Sequence, residues 1–159
     1  MIERDAAILR CRAAVEACRE EGILLLARTD ARISRGFDEA LTRLKTFVAE
    51  GADILFLDSP QSEAEMHEAV AACNGKPSLA VASPAGKHFM PGDAELERIG
   101  IKIVVYPQEI LAATVHAVRA ALGGLKGSVK PPMASPAELA TAIRFADYLA
   151  RDARWPDPN

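Results

Sequence analysis

The chain has 159 residues, of which 50% are hydrophobic and 26% charged, and its formal net charge is −3. This length is enough for one domain with a substantial core, and the composition is typical of a globular protein. The small negative charge gives no sign of a nucleic-acid groove or of an anionic-membrane surface, and no apolar run approaches the ~20 residues of a membrane span. The first residues lack a signal-peptide pattern, so we expect a cytoplasmic protein.

Hydrophobic periodicity predicts two helix–strand pairs at the start of the chain. A helix over Arg4–Glu21 precedes a strand over Ile23–Ala27, and a helix over Phe37–Glu50 precedes a strand over Asp53–Leu57. Residues 32–36 are predicted to form a polar loop between the first strand and the second helix.

The same alternation continues through the middle of the chain. The predicted elements are, in order, a helix that runs to about Cys73, a strand over Ser78–Ala82, a short helix over Asp93–Ile99, a strand over Ile101–Tyr106 and a helix over Gln108–Leu122. Ser62 and Glu65 have the spacing of a capping box, in which each side chain binds a backbone amide at the start of the helix. The four strand–helix units together occupy residues 1–124.

The remaining residues are predicted to be mostly helical. Residues 125–134 contain glycine and proline and are interpreted as a linker. A second capping box, Ser135 with Glu138, predicts the start of a helix over residues 135–151. Residues 152–159 are predicted to form a loose tail.

All four predicted strands are aliphatic runs with no alternation of apolar and polar residues. Such runs are typical of parallel strands that helices bury on both faces, so the predicted fold class is α/β with a parallel sheet. Periodicity permits either a small open sheet or half of a (β/α)8 barrel. Four strands cannot close a barrel of eight, which takes ~250 residues.

Charged residues stand at the ends of the first two predicted strands. Arg28 follows the first strand, Asp30 lies two residues later, and Asp58 follows the second strand. Burying an arginine in an apolar strand is costly, so we expect Arg28 at the carboxyl end of the strand, where ligands bind in α/β proteins. The alternative is structural: Arg28 pairs with a neighbouring strand-end carboxylate, and Asp58 caps the loop at Ser59.

Several segments in a fixed order resemble one enzyme family. They are Ala27–Ala31 (ARTDA), Glu39–Arg43 (EALTR), Gly51–Phe56 (GADILF), Glu95–Gly100 (ELERIG) and Ile103–Pro107 (IVVYP). Together they resemble the C-terminal half of the isocitrate lyase/phosphoenolpyruvate mutase superfamily, over residues 3–125. That resemblance implies a TIM-type (β/α)8 barrel, of which these four strands would be the last four.

The resemblance also implies a chemistry and a set of site residues. Members of the superfamily use Mg²⁺ to cleave or form carbon–carbon or carbon–phosphorus bonds in 2-oxo and 2-hydroxy acids. By resemblance, Arg28 would bind a substrate carboxylate, and Asp58 stands where many members carry a glutamate that helps to hold the metal through water. Many members have an asparagine after the third of these strands, which this chain lacks, so His88 is a candidate substrate-binding residue in its place. A solvated loop histidine is the alternative interpretation of His88.

The family's metal-ligating aspartates and its lysine–cysteine–glycine loop belong to the first half of the barrel. No segment here resembles them, so no catalytic set is complete in this chain, and it is expected to be a truncated lyase with little activity by itself. The alternative is a non-catalytic half-barrel that acts as an association or scaffold module. Expected partners are a small carboxylic-acid substrate and either further copies of the chain, with residues 135–151 exchanged between subunits, or the missing N-terminal half.

Overall fold

The computed structural model describes residues 1–82, 89–127 and 131–155. The chain divides into two compact units, Met1–Ala112 and Ala113–Asn159. All four strands lie in the first unit, and the last two helices lie in the second.

Helices and strands alternate through the first unit. The elements are α1 Arg4–Glu21, β1 Leu26–Thr29, α2 Ala31–Arg35, α3 Phe37–Glu50, β2 Ile54–Leu57, α4 Glu63–Ala72, β3 Ser78–Val81, α5 Asp93–Ile99, β4 Ile103–Val105, α6 Glu109–Lys126, α7 Pro136–Ala142 and α8 Phe145–Asp152. The predicted helices Arg4–Glu21, Phe37–Glu50 and Asp93–Ile99 are confirmed. The loop predicted over residues 32–36 is wrong, because these residues mostly belong to the short helix α2.

The four strands form one parallel sheet in the order β1-β2-β3-β4. In the register of the first pair, Arg28 lies beside Phe56 and Thr29 beside Leu57. The predicted α/β class and parallel sheet are therefore confirmed. Consecutive parallel strands need a crossover connection, and here each crossover contains at least one helix.

Helices α1, α3 and α4 pack against one face of this sheet. Ala27, Leu55 and Leu57 belong to the main core cluster together with apolar residues of α1, α3 and α4. Leu26 and Arg28, which point to the opposite face, are exposed. The prediction that both faces of the strands are buried is wrong for β1, because side chains alternate along a strand and, within the described part of the first unit, the helices pack on the face that carries Ala27.

The first strand begins three residues later than predicted. Ile23 and Leu24 are exposed and lie outside β1, and the first strand residue is Leu26. Only Ala27 and Thr29 of β1 are buried. The apolar run that begins at Ile23 therefore does not show at which residue the strand starts.

Glycine fixes the end of α3. Gly51 has a φ of 106°, and a Cβ placed there would lie 2.6 Å from a guanidinium nitrogen of Arg19. The flexible end of Arg19 could move away from such a Cβ, but positive φ strains any L side chain, so this position favours glycine for its backbone conformation. Its amide donates to the carbonyls of Phe47 and Val48, which closes the helix.

The two predicted capping boxes differ in outcome. Ser135 and Glu138 form a complete box at the start of α7. The Ser62 hydroxyl accepts from the Glu65 amide at 3.2 Å, but the Glu65 carboxylate binds the amide of Gln61 instead of that of Ser62. The box of Ser62 and Glu65 is therefore only half formed.

The C-terminal helices also depart from the predicted pattern. The single helix predicted over residues 135–151 is broken between α7 and α8, where Arg144 has a φ of 54°. Helix α6 continues to Lys126, inside the segment predicted to be a linker. Two glycines in its last turns cost helical stability but do not end it.

Candidate functional site

The parallel register brings three charged side chains together at the carboxyl ends of β1 and β2. Arg28 is in β1, Asp30 follows that strand, and Asp58 follows β2. The Asp58 amide donates to the Thr29 carbonyl at 3.0 Å, which extends the ladder one residue beyond the end of β2. Residues 30 positions apart in sequence thus meet because β1 and β2 are neighbours with matched ends.

Arg28 is the centre of this cluster. Its Nε donates to Asp30 Oδ1 at 2.5 Å, and its Nη2 donates to Asp58 Oδ1 at 2.8 Å. Its guanidinium carbon lies 4.9 Å from the centre of the Phe56 ring, a cation–π distance. The hydrogen bond that Arg28 donates to Asp30, followed by the charge of Asp58, raises the pKa of Arg28, so the side chain is cationic at every relevant pH.

The cluster remains accessible to solvent. The Arg28 side chain is 47% exposed, and among the described residues none forms a hydrogen bond with its Nη1. One guanidinium between two carboxylates gives a net charge of −1. The arrangement holds a cationic donor in a fixed orientation, and Nη1 can bind a further carboxylate, although the net charge of the cluster opposes that binding.

Asp58 is oriented by the turn that follows it. Ser59 has a φ of 56°, which is uncommon for a residue other than glycine, and its hydroxyl donates to Asp58 Oδ2 at 2.8 Å. The Phe89 amide donates to the Pro60 carbonyl at 2.8 Å and ties a later segment to this turn. Each carboxylate oxygen of Asp58 thus has one partner, Arg28 for Oδ1 and Ser59 for Oδ2.

Sequence reasoning missed an ion pair beside this cluster. Arg32 Nε and Nη2 donate to the Glu65 carboxylate at 2.7–2.9 Å, and both side chains are largely buried. The Gln61 amide also donates to Glu65, and these contacts lower the pKa of that carboxyl, chiefly through Arg32. The pair joins α2 to the start of α4, so it holds together the two segments that carry Asp30 and Asp58.

His88 lies outside the described residues. Within residues 1–82, 89–127 and 131–155, no group of three or more histidine, cysteine, aspartate or glutamate side chains is placed to hold a metal ion. None of the helices in these ranges combines the length and apolar composition that crossing a membrane requires.

Comparison with known proteins identifies the family. The family model for phosphoenolpyruvate phosphomutase matches residues 1–126. The chain belongs to the isocitrate lyase/phosphoenolpyruvate mutase superfamily. The resemblance carried by the strand-end segments is therefore confirmed.

Among curated superfamily members, the chain is 29% identical over 148 residues to 2,3-dimethylmalate lyase of Eubacterium barkeri, covering 93% of this chain and 50% of that enzyme. It is 33% identical over 135 residues to 2-methylisocitrate lyase of Bacillus subtilis (strain 168), covering 82% of this chain and 44% of the relative. The chain thus spans about half the length of the curated relatives it matches.

Solved structures of the superfamily share this fold. Oxaloacetate acetylhydrolase, in complex with its product oxalate, superposes with a TM-score of 0.86 at 29% identity, over 96% of this chain and 55% of that one. A crystal structure of 2,3-dimethylmalate lyase gives a TM-score of 0.84 at 27% identity, over 98% of this chain and 56% of that one. The predicted half of a TIM-type barrel is confirmed by these matches.

Proposed function

We propose that this chain provides the carboxylate-binding half of the active site of a carbon–carbon lyase that acts on 2-oxo or 2-hydroxy acids. The observation that carries the proposal is Arg28, a solvent-accessible guanidinium oriented by Asp30 and Asp58 at the carboxyl ends of two parallel strands. The relatives named for dimethylmalate and methylisocitrate cleavage support this substrate class. By itself the chain is expected to have little activity.

Arg28 would act by binding and orienting the substrate. In the cleavage of a 2-hydroxy acid a base removes the hydroxyl proton, and the carbon–carbon bond breaks as the hydroxyl carbon becomes the carbonyl of a 2-oxo acid. The bonding electron pair stays on the other fragment, which then takes up a proton. A carboxylate held by Nη1 and Nη2 of Arg28 would fix the position of the carbon that becomes the carbonyl. Nη2 already binds Asp58, so a bidentate carboxylate must share or displace that contact.

Mg²⁺ fits this chain only in part. When bound, the ion would act as a Lewis acid on the fragment that becomes the 2-oxo acid, where negative charge develops on oxygen. Asp58 offers the oxygen ligands that Mg²⁺ prefers, but its two oxygens already bind Arg28 and Ser59. The described residues alone therefore do not make a Mg²⁺ site, and the proposal requires further oxygen ligands from a second half of the barrel.

The proposal is tested in a single-chain fusion that places the first half of 2,3-dimethylmalate lyase before residue 1. Oxalate binding is measured by titration calorimetry with Mg²⁺ in excess, and release of a 2-oxo acid from 2,3-dimethylmalate is assayed in parallel. Arg28→Ala removes charged hydrogen bonds of about 1.5–3 kcal/mol, so we expect the affinity for oxalate to fall roughly tenfold to a hundredfold. Arg28→Lys keeps the charge but loses the planar fork, so an intermediate loss is expected.

A matched control comes from another exposed arginine of the same unit. Arg12 pairs with Glu50 far from the carboxyl ends of the strands, and Arg12→Ala should leave oxalate binding unchanged. Equal affinities in the parent fusion and in Arg28→Ala would show that the carboxylate assignment is wrong.

A second candidate function is association without catalysis. The face of the sheet opposite the helices favours it, since Leu26 and Val105 on that face are exposed.

A further inference from the structure

Glu65 accepts hydrogen bonds from two segments that lead to the Arg28 cluster. Its carboxylate binds Arg32 of α2 through Nε and Nη2 at 2.7–2.9 Å, and it also accepts the Gln61 amide at 2.9 Å. The Glu65 side chain is 15% exposed and that of Arg32 23%. Glu65 lies in the first turn of α4, where the Ser62 hydroxyl binds its amide. One largely buried carboxylate thus joins α2, the turn before α4 and α4 itself.

The contact with Arg32 leads to Asp30. Asp30 occupies the N-cap position of α2, where an aspartate usually caps the first amides, but its side chain makes no capping hydrogen bond. Its carboxylate binds Arg28 instead. Because α2 has only five residues, too few for a stable helix by itself, its position depends on tertiary contacts. The ion pair of Arg32 with Glu65 is such a contact, and it lies two residues after Asp30.

The contact with Gln61 leads to Asp58. Ser59 has a φ of 56°, and a residue other than glycine keeps this conformation only where surrounding contacts fix it. The Gln61 side-chain amide donates to the Ser59 carbonyl at 3.0 Å, and the Ser59 hydroxyl donates to Asp58 Oδ2. By binding the Gln61 backbone amide, Glu65 holds the residue that closes this turn.

The two routes form a closed circuit of contacts. From Arg28 it passes through Asp58, the following turn and Glu65 to Arg32, and it returns through the start of α2 and Asp30. An ion pair that is largely removed from water adds little net stability, so we expect its main effect here in geometry. We propose that Glu65 is a positioning residue for Arg28: through these two routes it sets the spacing of the two aspartates that orient the guanidinium.

This inference deepens the proposed function and rests on it for the ligand, since the oriented guanidinium is the group proposed to bind a carboxylate. The orientation of Arg28 is nevertheless measurable in the full chain without substrate or metal. A failure of the positioning role is therefore distinguishable from a failure of the lyase proposal.

The test follows the Arg28 Nε–H group by NMR in the full chain labelled with nitrogen-15. Its signal is assigned by its loss in Arg28→Lys. The proton exchanges with water when its hydrogen bond to Asp30 opens, so the exchange rate measures how firmly the cluster is held. Glu65→Gln removes the charge that binds Arg32, and we expect exchange at Arg28 to become faster on the order of tenfold.

Glu39→Gln is the matched control. Glu39 is 14% exposed and pairs with the buried Arg43, so this variant removes a similarly buried glutamate–arginine pair of the same unit without touching the circuit. The Arg28 signal and its exchange rate should stay as in the parent chain.

A double variant separates positioning from stability. Arg32→Met combined with Glu65→Leu replaces the ion pair with apolar side chains, a change that is often neutral for stability. Urea unfolding should therefore stay close to that of the parent chain. Exchange at Arg28 should still be faster, because α2 and the Gln61 amide have lost their common acceptor.

The consequence for binding is measured in the fusion used for the lyase proposal. Glu65→Gln should lower the affinity for oxalate on the order of tenfold, because a displaced guanidinium no longer meets the carboxylate in the required geometry. If Arg28→Ala leaves oxalate binding intact while Glu65→Gln accelerates exchange at Arg28, the positioning role stands and the lyase proposal fails.

Three results would overturn the positioning role. The first is an exchange rate at Arg28 that is unchanged in Glu65→Gln or in the double variant. The second is an equal rise in Glu39→Gln, which would trace the effect to a general loss of stability. The third is an unchanged affinity for oxalate in Glu65→Gln when Arg28→Ala has lost it.

Discussion

Glu39 accepts hydrogen bonds from two arginines, and replacing it with glutamine should destabilise the first unit by about 2 kcal/mol. The Arg43 guanidinium is 2% exposed, and its Nε donates to Glu39 at 2.8 Å while its Nη2 donates to the Ile2 carbonyl at 2.9 Å. Arg4 of α1 binds the same carboxylate from the solvent side. One glutamate thus joins α3 to the N-terminal segment and neutralises a buried cation.

The size of the effect follows from the pKa of Glu39. Hydrogen bonds from Arg4 and then Arg43 lower the pKa of Glu39 from 4.5 to about 2. At 1.36 kcal/mol per pKa unit this is at most about 3 kcal/mol, and solvent screening around the exposed Arg4 reduces it to about 2 kcal/mol. Glutamine keeps the shape and one acceptor oxygen but leaves the Arg43 charge without a counter-ion.

Glu50 provides the matched control in the same helix. Its carboxylate also accepts two hydrogen bonds from one arginine, at 2.7 and 2.9 Å, but Arg12 is well exposed. Exposed ion pairs contribute little to stability, so Glu50→Gln should cost clearly less than Glu39→Gln. Urea unfolding at neutral pH, monitored by circular dichroism, measures both losses.

The pH dependence has a defined sign. Because the pKa of Glu39 is lower in the folded chain, its contribution is fully present above pH 4.5 and disappears as the pH falls toward 2. The stability difference between the parent chain and Glu39→Gln should therefore shrink across that interval. Losses for Glu39→Gln and Glu50→Gln that agree within about 0.5 kcal/mol at neutral pH would refute the reasoning, since they would show that the buried Arg43 needs no counter-charge.

Two further expectations concern buried side chains. Burial raises the pKa of the Cys73 thiol to about 11. A thiol reagent at pH 8 should therefore modify the partly exposed Cys18 first and reach Cys73 only as the chain unfolds. Equal rates of modification at the two cysteines would contradict this expectation. The Ser78 hydroxyl is buried with no partner among the described residues, so Ser78→Ala should raise the free energy of unfolding by up to about 1 kcal/mol. Ser62 caps α4, so Ser62→Ala should lower the free energy of unfolding by about 1 kcal/mol. If urea unfolding shows both serine variants shifted in the same direction, the Ser78 hydroxyl has a hydrogen-bond partner in the folded chain.

Local sequence signals located several elements of the fold. Helices α1 and α3 have the predicted bounds, because each combines an apolar stripe at helical spacing with a glycine that adopts positive φ at its end. The start of β1 was placed too early, since Ile23 and Leu24 are as apolar as a buried strand but lie outside the sheet. Composition alone does not distinguish an apolar residue of the core from one on an exposed edge.

In the candidate site, too, the sequence predicts individual residues but not the contacts between them. Arg28 and Asp58 were predicted from their positions at strand ends and from the family resemblance, and both signals are local. The contact between them, the Ser59 hydroxyl on Asp58 and the Arg32–Glu65 pair join residues that no spacing rule connects.

The sequence by itself determined the alternation of helices and strands, the family and the residues at the strand ends, because periodicity, glycine stops and short motifs are properties of neighbouring residues. The tertiary structure decided which face of the sheet the helices cover and which charges meet. Both depend on the register of strands that lie about 30 residues apart, and one step in that register moves every side chain to the other face. For that reason an arginine that the sequence could only place at a strand end lies on the uncovered face, between two carboxylates and accessible to solvent.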